Sequence, residues 1–323
     1  MTLLKMDTLH PHISICIPAY QRIAYVSRLL HSIEKQLYKN FEVIITDDSP
    51  DDRIKEFVLG QRFNFSIQYY KNVIPRGTPA NWMEGLKYAK GEWIKIIHDD
   101  DWLTDEHALS KFADAISPDV DCIFCGYVAF YERQNISINK TISQHIFKQI
   151  SRHPYRLFAS NLIGPPSVLM FRKGVRELYD PALKWLVDIE AYVRMIGKYR
   201  CTYIDMPLIT MSYNDTQVTN ACFRNPDIEI REALIYYQKH GRSVFEGWIS
   251  YDGWWRLMRN LNICTLGQLK EYAGDLIIPD ELIRIIRFQR FLPFGFIKKG
   301  FFSKIFMFLS YSVNCIRGFR YHH

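Results

Sequence analysis

Acidic residues are missing from the end of this chain. Residues 284–323 contain no Asp or Glu, whereas eight Lys and Arg residues fall in the same segment. The net charge of the whole chain is only +7, so the residues before this segment are close to neutral. A near-neutral body argues against a main domain that binds nucleic acid.

The chain also has no long apolar segment. No window of about 18 residues is both apolar and uncharged, so no transmembrane helix is predicted. Residues 1–12 contain Lys5 and Asp7 but no apolar stretch, so no signal peptide is predicted. Cys122 and Cys125 form a CxxC without a second ligand pair, and packed strand residues in a reducing cytoplasm explain them better than zinc or redox chemistry.

Neither GxGxxG nor GxxxxGK[ST] occurs, so neither a dinucleotide-binding fold nor a P-loop is predicted. Strands alternating with helices are present instead, in a chain of 323 residues that is long enough for a full globular core. Apolar runs typical of buried strands begin at Ile13, Phe41, Ser66 and Trp93, and residues of helical periodicity follow them. This order predicts an α/β fold with a mostly parallel sheet flanked by helices.

Acidic residues follow two of the predicted strands. Asp47 and Asp48 come after the second strand, and Asp99, Asp100 and Asp101 come after the fourth. Because ligands bind beyond the carboxyl ends of parallel strands, both groups should face one edge of the sheet. Three adjacent carboxylates repel each other unless a cation lies among them, and oxygen ligands suit Mg²⁺ or Mn²⁺.

These acids predict a nucleotide site. An acid after the second strand can accept hydrogen bonds from a base or a ribose, and a metal held after the fourth strand can neutralise a diphosphate. Arg22 and Arg76 are the candidate phosphate ligands, although a lone arginine is often only a solvated surface residue. The alternative for the Asp triplet is an acidic turn that caps a helix starting near Thr104.

Three segments resemble signatures of the family 2 glycosyltransferases, which have the GT-A fold. They are Ile-Ser-Ile-Cys-Ile-Pro-Ala-Tyr-Gln-Arg from Ile13, Phe-Glu-Val-Ile-Ile-Thr-Asp-Asp-Ser from Phe41, and Lys-Gly-Glu-Trp-Ile-Lys-Ile-Ile-His-Asp-Asp-Asp-Trp-Leu from Lys90. The resemblance covers roughly residues 12–215. It implies an inverting transferase that uses a nucleotide-diphospho-sugar, with UDP-sugars favoured, and Mg²⁺ or Mn²⁺.

The resemblance implies donor contacts at Pro18, Ala19 and Tyr20, in addition to the residues above. The metal motif of the family usually reads Asp-x-Asp-Asp-Trp. Aligned on Trp102, this motif places His98 at the first Asp and Asp100 at the usual ligand. A second alignment starts at Asp99 and makes Asp101 the ligand, and the sequence leaves both open.

The resemblance also points to the acceptor side. Gly164, Pro166 and Ser167 are similar to the family's Gly-x-Pro-Ser segment under the donor sugar, and an ordinary turn before a strand is the alternative. Trp102 is a further candidate contact for sugar or acceptor. Gln217 and Thr219 are weaker candidates, in a segment where relatives often close a loop over the diphosphate.

A carboxylate near residue 188 is the candidate general base. Residues 185–196 have helical periodicity, with Asp188 and Glu190 in the first turns. The helix dipole favours acids at that position for purely structural reasons. An inverting transfer, however, needs a carboxylate to take the proton of the acceptor hydroxyl. Asp188 best matches the family's acid, and Glu190 is the alternative.

We predict a catalytic domain over residues 1–220, with a nucleotide half at 12–103 and an acceptor half at 104–220. A helical region should follow over 221–323. Its tail from residue 284 alternates basic and aromatic residues, which favours the surface of an anionic membrane on the cytoplasmic side. Residues 301–313 are too short to span a bilayer. Packing on the body or a dimer contact are alternatives for the tail, and RNA binding is a remote one.

A membrane location fits a polyprenyl-diphosphate-linked glycan as the acceptor, as in O-antigen or capsule assembly. Two other functions are alternatives for this sequence. A sugar-phosphate nucleotidyltransferase normally needs a Gly-rich basic loop after the first strand, and this chain has Pro-Ala-Tyr-Gln-Arg there. The other is a non-catalytic membrane-binding protein with the same fold.

Overall fold

A computed structural model describes residues 12–176, 179–214 and 222–319. The chain divides into two compact units, each described by itself below. The sheet unit comprises Met1–Lys148, Ile163–Pro181 and Arg194–Asp215, and the helical unit comprises Gln149–Leu162, Ala182–Val193 and Thr216–His323. The domain boundary near residue 220 stays a prediction.

The sheet unit is built on one mixed sheet. Its nine strands in the described residues are β1 Ile13–Ala19, β2 Phe41–Asp47, β3 Ile67–Lys71, β4 Trp93–Ile96, β5 Trp102–Leu103, β6 Cys122–Tyr131, β7 Ile136–Lys140, β8 Leu169–Arg172 and β9 Cys201–Tyr213. The order across the sheet is β3-β2-β1-β4-β8-β6-β9-β5, and β7 pairs with β6. The first four strands in this order run parallel, as predicted, and β8 is antiparallel to both of its neighbours.

Helices cover the sheet because its central strands are apolar on both faces. Every residue of β1 and β2 is buried, which is typical of parallel strands packed on both sides. The helices that lie on the sheet are α1 Ile23–Glu34, α2 Arg53–Gly60, α3 Ala80–Leu86 and α4 Ala108–Asp114. Two further helices, α5 Gln144–Arg152 and α6 Val187–Lys198, each include residues of both units. Gly91, just before β4, lets the two backbones approach, since a Cβ there would lie 2.6 Å from the Ser14 nitrogen.

The helix expected to start near Thr104 starts four residues later, at Ala108. Trp102 and Leu103 instead form the short strand β5, with Trp102 opposite Thr210 of β9. Thr104 continues the backbone pairing by donating its N–H to the Leu208 carbonyl at 3.1 Å, and α4 begins only at Ala108. The edge of β9 provides a hydrogen-bonding partner that the local sequence could not reveal.

The helical unit contains the later helices and a core of large aromatic side chains. The helices are α7 Pro226–His240, α8 Trp248–Asn260, α9 Leu266–Ala273, α10 Asp280–Arg290, α11 Phe294–Ile297 and α12 Gly300–Phe319. Trp254, Trp255 and Tyr236 are fully buried. α12 has 20 residues, longer than the roughly 13-residue segment considered from the sequence. Among the described helices, none combines the length and apolar character that a membrane crossing requires.

Candidate functional site

The carboxyl ends of β2, β1 and β4 lie side by side. Backbone hydrogen bonds join them: the Asp48 N–H donates to the Ala19 carbonyl at 3.0 Å. The Tyr20 N–H donates to Oδ2 of Asp99 at 3.1 Å. Pro18 is in register with Thr46. The predicted donor residues of β1 therefore lie between the two groups of acids.

Asp48 organises the loop that follows β3. Its Oδ1 accepts from Asn72 Nδ2 at 2.7 Å and from the Arg76 N–H at 3.1 Å. Its Oδ2 accepts from the N–H groups of Arg76 and Gly77 at 3.1 and 2.8 Å. These contacts use the whole accepting capacity of a carboxylate.

Asp47 is equally occupied and has no exposed surface. Its Oδ2 accepts from the Tyr69 hydroxyl at 2.6 Å and from Lys71 Nζ at 3.3 Å. Its Oδ1 accepts from the N–H and the hydroxyl of Ser49. A direct nucleoside contact by Asp47 or Asp48 stays a prediction, and it would require the ligand to displace one of these donors.

Asp99, Asp100 and Asp101 form a buried acidic cluster, with exposed fractions of 2, 7 and 3%. Arg22 pairs with Asp99 and, at 2.9 Å, with Asp100. Burial raises the pKa of Asp99 to about 7, although Arg22 opposes the shift. Burial and then the charge of Asp100 hold the pKa of Asp101 well above its usual range. The raised pKa values show that burial and mutual repulsion disfavour ionisation of these acids without a cation, as expected of a cation site.

His98 adds a nitrogen to this cluster. Ligand atoms of His98, Asp100 and Asp101 all lie within 4.8 Å of one another. The Nε2 atom of His98 is buried and has no hydrogen-bond partner among the described residues. Burial lowers the pKa of His98 to about 4, so the imidazole is neutral and its lone pair is available. These three side chains fit a divalent cation, whereas Asp99 accepts from the Tyr20 N–H in addition to Arg22.

In the sequence, His98 stands out only as the residue in place of the first Asp of the family's metal motif. The available signal was its place one residue before the Asp triplet, because histidine is itself a common metal ligand.

The two candidate phosphate ligands already have protein partners. The Arg22 guanidinium bonds Asp99 and Asp100, as described above. Nε of Arg76 lies 3.2 Å from Oε2 of Glu84, a buried acid of α3. Neither guanidinium is deeply buried, so both remain candidates for binding phosphate. Their role stays a prediction.

A turn before β8 supports the acidic cluster through hydrogen bonds of Ser167. Pro166–Val168 form one 3₁₀ turn, and Ser167 is fully buried. Oγ of Ser167 accepts from the His98 N–H at 3.0 Å, and this hydroxyl also bonds Asp101. Lys95, fully buried in β4, donates to the carbonyl of Ser167 and to that of Leu169 at 3.3 Å. These contacts position the acidic cluster, and a direct contact of Ser167 or Pro166 with a sugar stays a prediction.

Gly164 precedes this turn at a φ of 119°, where a Cβ would lie 2.7 Å from the Tyr127 ring. A side chain at this position would therefore displace the ring or the turn.

Arg28 and Glu132 form a brace beside the acidic cluster that the sequence did not reveal. The Arg28 guanidinium lies 3.8 Å from the centroid of the Trp102 ring and donates to the Asp100 carbonyl at 3.0 Å. Glu132 accepts from Arg28 at 3.1 Å and from the hydroxyls of Tyr25 and Ser212. The brace holds the backbone of Asp100 and the half-buried Trp102 in place.

The two candidate bases in α6 differ in their surroundings within the helical unit. Asp188 is half-buried; its Oδ2 accepts from Asn161 Nδ2 at 2.7 Å and its Oδ1 from the Ile189 N–H at 2.8 Å. Burial raises the pKa of Asp188 to about 6. Glu190 is fully buried and lies 2.8 Å from Lys239 Nζ. Asp188 is therefore the more accessible carboxylate. Gln217 and Thr219 lie outside the described residues.

A mixed sheet whose parallel strands end in acids able to hold a cation defines an α/β protein of the GT-A-like, nucleotide-sugar-using class. The chain belongs to glycosyl transferase family 2, whose family model matches residues 14–178. This confirms the resemblance and the fold predicted from the sequence.

Similar glycosyltransferases come from several bacteria. An uncharacterized glycosyltransferase of Haemophilus influenzae is 29% identical over 244 residues, which is 74% of this chain and 80% of that protein. The putative colanic acid biosynthesis glycosyl transferase WcaA of Escherichia coli is 29% identical over 59% of this chain and 68% of its own. The GalNAc(5)-diNAcBac-PP-undecaprenol beta-1,3-glucosyltransferase of Campylobacter jejuni is 32% identical over 29% of this chain and 31% of its own.

Two solved structures share the fold. S. aureus TarS 1–349 in complex with UDP-GlcNAc matches with a TM-score of 0.53 and 16% identity, covering 86% of this chain and 87% of that one. The mannosyltransferase PcManGT from Pyrobaculum calidifontis, in complex with GDP-Man and Mn²⁺, matches with a TM-score of 0.53 and 14% identity, covering 95% of this chain and 87% of that one.

Proposed function

We propose that this glycosyltransferase transfers a sugar, with inversion, from a nucleotide-diphospho-sugar to a hydroxyl of a lipid-linked or oligosaccharide acceptor. The observation that carries the proposal is the convergence of His98, Asp100 and Asp101 at the edge of the sheet where parallel strands bind ligands. UDP-sugars are the first donors to test. Family membership and bacterial polysaccharide relatives favour a role in the assembly of surface polysaccharide.

On the donor side, His98, Asp100 and Asp101 would hold Mn²⁺ or Mg²⁺. When bound, such an ion neutralises the diphosphate and so stabilises the leaving group. Asp99 keeps the acidic cluster attached to β1 through the Tyr20 N–H and Arg22. The mannosyltransferase that was solved with GDP-Man and Mn²⁺ supports the choice of metal.

On the acceptor side, Asp188 is the proposed base. Its carboxylate takes the proton of the acceptor hydroxyl while that oxygen forms a bond to the anomeric carbon and the bond from this carbon to the diphosphate breaks. A pKa near 6 suits this task, because the group is ionised at neutral pH yet more basic than an ordinary Asp. Glu190 is paired with Lys239, and we assign it a structural role.

The proposed acceptor is a glycan on a polyprenyl diphosphate, and the proposed location is the cytoplasmic face of the membrane. The name of the Campylobacter relative, which specifies a PP-undecaprenol substrate, supports this choice. The basic tail from residue 284 supports it as well.

The proposal is tested by assaying release of the nucleoside diphosphate from UDP-, GDP- and dTDP-sugars with Mn²⁺ and with a polyprenyl-diphosphate glycan. Asp188→Asn should lower kcat by about a hundredfold or more while donor affinity, measured by calorimetry, stays unchanged. Asp227→Asn is the matched control, because Asp227 is an exposed acid in the first turn of α7. Full activity in Asp188→Asn would refute the base, and no donor binding with Mn²⁺ would refute the enzyme.

A further inference from the structure

The last long helix, α12, packs with its polar side inward. Its buried side chains are Ser303, Met307 and Ser310, with exposed fractions of 3, 0 and 1%. These residues recur at helical spacing along one face, and two of the three are serines. A helix that covers a protein core normally buries its apolar residues and exposes its polar ones. α12 reverses this rule.

Specific hydrogen bonds hold the polar face in place. Oγ of Ser303 accepts from Trp255 Nε1 at 3.0 Å and from Arg259 at 2.8 Å. Ser310 Oγ pairs with the Tyr251 hydroxyl at 2.7 Å. Trp255 and Tyr251 are themselves fully buried in α8. The helix is therefore docked on its own unit by satisfied polar contacts, and its orientation is fixed before any ligand binds.

The opposite face of α12 is an exposed apolar stripe. It consists of Phe301, Phe302, Ile305, Phe308, Leu309 and Val313, whose exposed fractions run from 38 to 75%. Trp248, 44% exposed, extends the stripe, because its ring centroid lies 5.2 Å from that of Phe308. A continuous apolar surface of this kind marks an interaction site.

Charge identifies what covers the stripe. The segment from residue 284 onward carries eight basic residues and no acid. Lys299 Nζ lies 5.8 Å from the ring centroid of Phe296, which contacts the ring of Phe302 at the start of the stripe. A second copy of the chain would bring two basic segments together and repel. A surface that is apolar inside and anionic at its rim matches both features, and a membrane with anionic lipids is such a surface.

We propose that α12 lies in the plane of an anionic membrane, with the apolar stripe in the acyl boundary and the serine face still docked on the helical unit. In this arrangement α12 would hold the enzyme next to a lipid-linked acceptor, a role that rests on the proposed function. Because the helix is already formed and docked, membrane binding requires no folding of the tail. This distinguishes α12 from a tail that becomes helical only on the lipid.

The test uses the full chain and co-sedimentation with vesicles of phosphatidylcholine, alone or mixed with phosphatidylglycerol. Phe308→Ser combined with Leu309→Ser should weaken binding to the anionic vesicles by about tenfold or more. The matched control is Ile136→Ser with Ile138→Ser on β7, whose exposed fractions of 50 and 42% resemble the 43 and 52% of the tested pair. Binding should fall as salt rises, and far-UV circular dichroism should not change on binding.

A second measurement holds even if the double variant folds poorly. Brominated acyl chains should quench the fluorescence of the wild-type chain, and Trp248→Phe should remove most of this quenching. Equal binding by the tested and control pairs, or no quenching, would overturn the proposal. So would a dimer that sedimentation velocity detects without lipid and that the tested pair abolishes. No donor or acceptor is needed, so vesicle binding by a chain without transferase activity would refute the proposed function alone.

Discussion

Two groups of acids lie at the same edge of the sheet, and they differ in how fully the protein satisfies them. Asp47 and Asp48, after β2, receive hydrogen bonds on both oxygens from Tyr69, Asn72 and neighbouring backbone. Asp99 and Asp100, after β4, share one arginine, and Asp101 accepts from the Ser167 hydroxyl and the Ser212 N–H. We therefore predict that the first group stabilises the fold and that the second costs stability when no cation is bound.

On this difference we predict a structural role for the first group and a functional role for the second. Both groups follow a buried strand, and both look alike as sequence. Hydrogen-bond donors reach both carboxylate oxygens of each acid in the first group. Burial without enough donors raises the pKa of Asp99 and Asp101 in the second. Acids with strongly raised pKa values cluster at functional sites in proteins, so those at this edge of the sheet are functional candidates.

Removing a member of the second group should have the largest effect on activity. Asp101→Asn removes a candidate metal ligand, so we expect kcat/KM to fall by about a hundredfold or more. The melting temperature without metal should stay the same or rise, because a neutral amide replaces a buried carboxyl whose pKa is raised. Activity and thermal unfolding are measured on the same preparation. Asp205→Asn, an exposed acid of β9, is the control. A large loss of stability in Asp101→Asn would contradict the comparison.

Removing a member of the first group should cost stability. Asp48→Ala leaves the donors of Asn72, Arg76 and Gly77 unpaired, so we expect a loss of about 3 kcal/mol in the free energy of unfolding. Chemical denaturation measures this loss, with Asp52→Ala as a control, because Asp52 is an exposed acid just before α2 whose side chain makes no cap hydrogen bond. If Asp48→Ala were as stable as wild type but had lost donor affinity, Asp48 would be a nucleoside ligand and not a brace.

The sequence predicted the strands that carry these acids but not how each acid is used. β1, β2 and β4 are short apolar runs with few alternatives, and a parallel arrangement brings their carboxyl ends together. The donors to Asp48, by contrast, come from a loop 24 to 29 residues away. Arg28 and Glu132 are separated by 104 residues, and no periodicity reports such a pair. The buried serines of α12 likewise have hydrogen-bond partners only because Trp255 and Tyr251 of α8 pack against them.

The acidic cluster should also make stability depend on pH. Asp99, with a pKa of about 7, and Asp101, with a higher pKa than usual, hold protons in the folded chain that the unfolded chain releases near pH 4. The folded state then binds more protons, so the free energy of unfolding without metal should fall as pH rises from about 4 to about 7. For one carboxyl whose pKa rises from about 4 to about 7, we expect a decrease of about 4 kcal/mol, measured by denaturation in buffers of matched ionic strength.

Two comparisons isolate the cluster in this experiment. Asp101→Asn should show a shallower decline than wild type over the same range. Mn²⁺ should stabilise the wild-type chain more at neutral pH than near pH 5, because protons compete with the metal for the carboxylates. Identical pH dependence in the variant and in wild type would show that the acids of this cluster titrate normally.

The smallest effect concerns the choice of metal, and it tests whether His98 belongs to the functional group. An imidazole beside two carboxylates favours Mn²⁺ over Mg²⁺, since Mg²⁺ prefers oxygen ligands. His98→Ala should weaken Mn²⁺ binding about tenfold and affect Mg²⁺ less, as measured by calorimetry with nucleoside diphosphate. His98→Asp restores an acid at this position and should raise activity with Mg²⁺ relative to Mn²⁺. If both variants kept the wild-type metal preference, the unpartnered Nε2 of His98 would have no role in metal binding, and Asp100 and Asp101 would define the site alone.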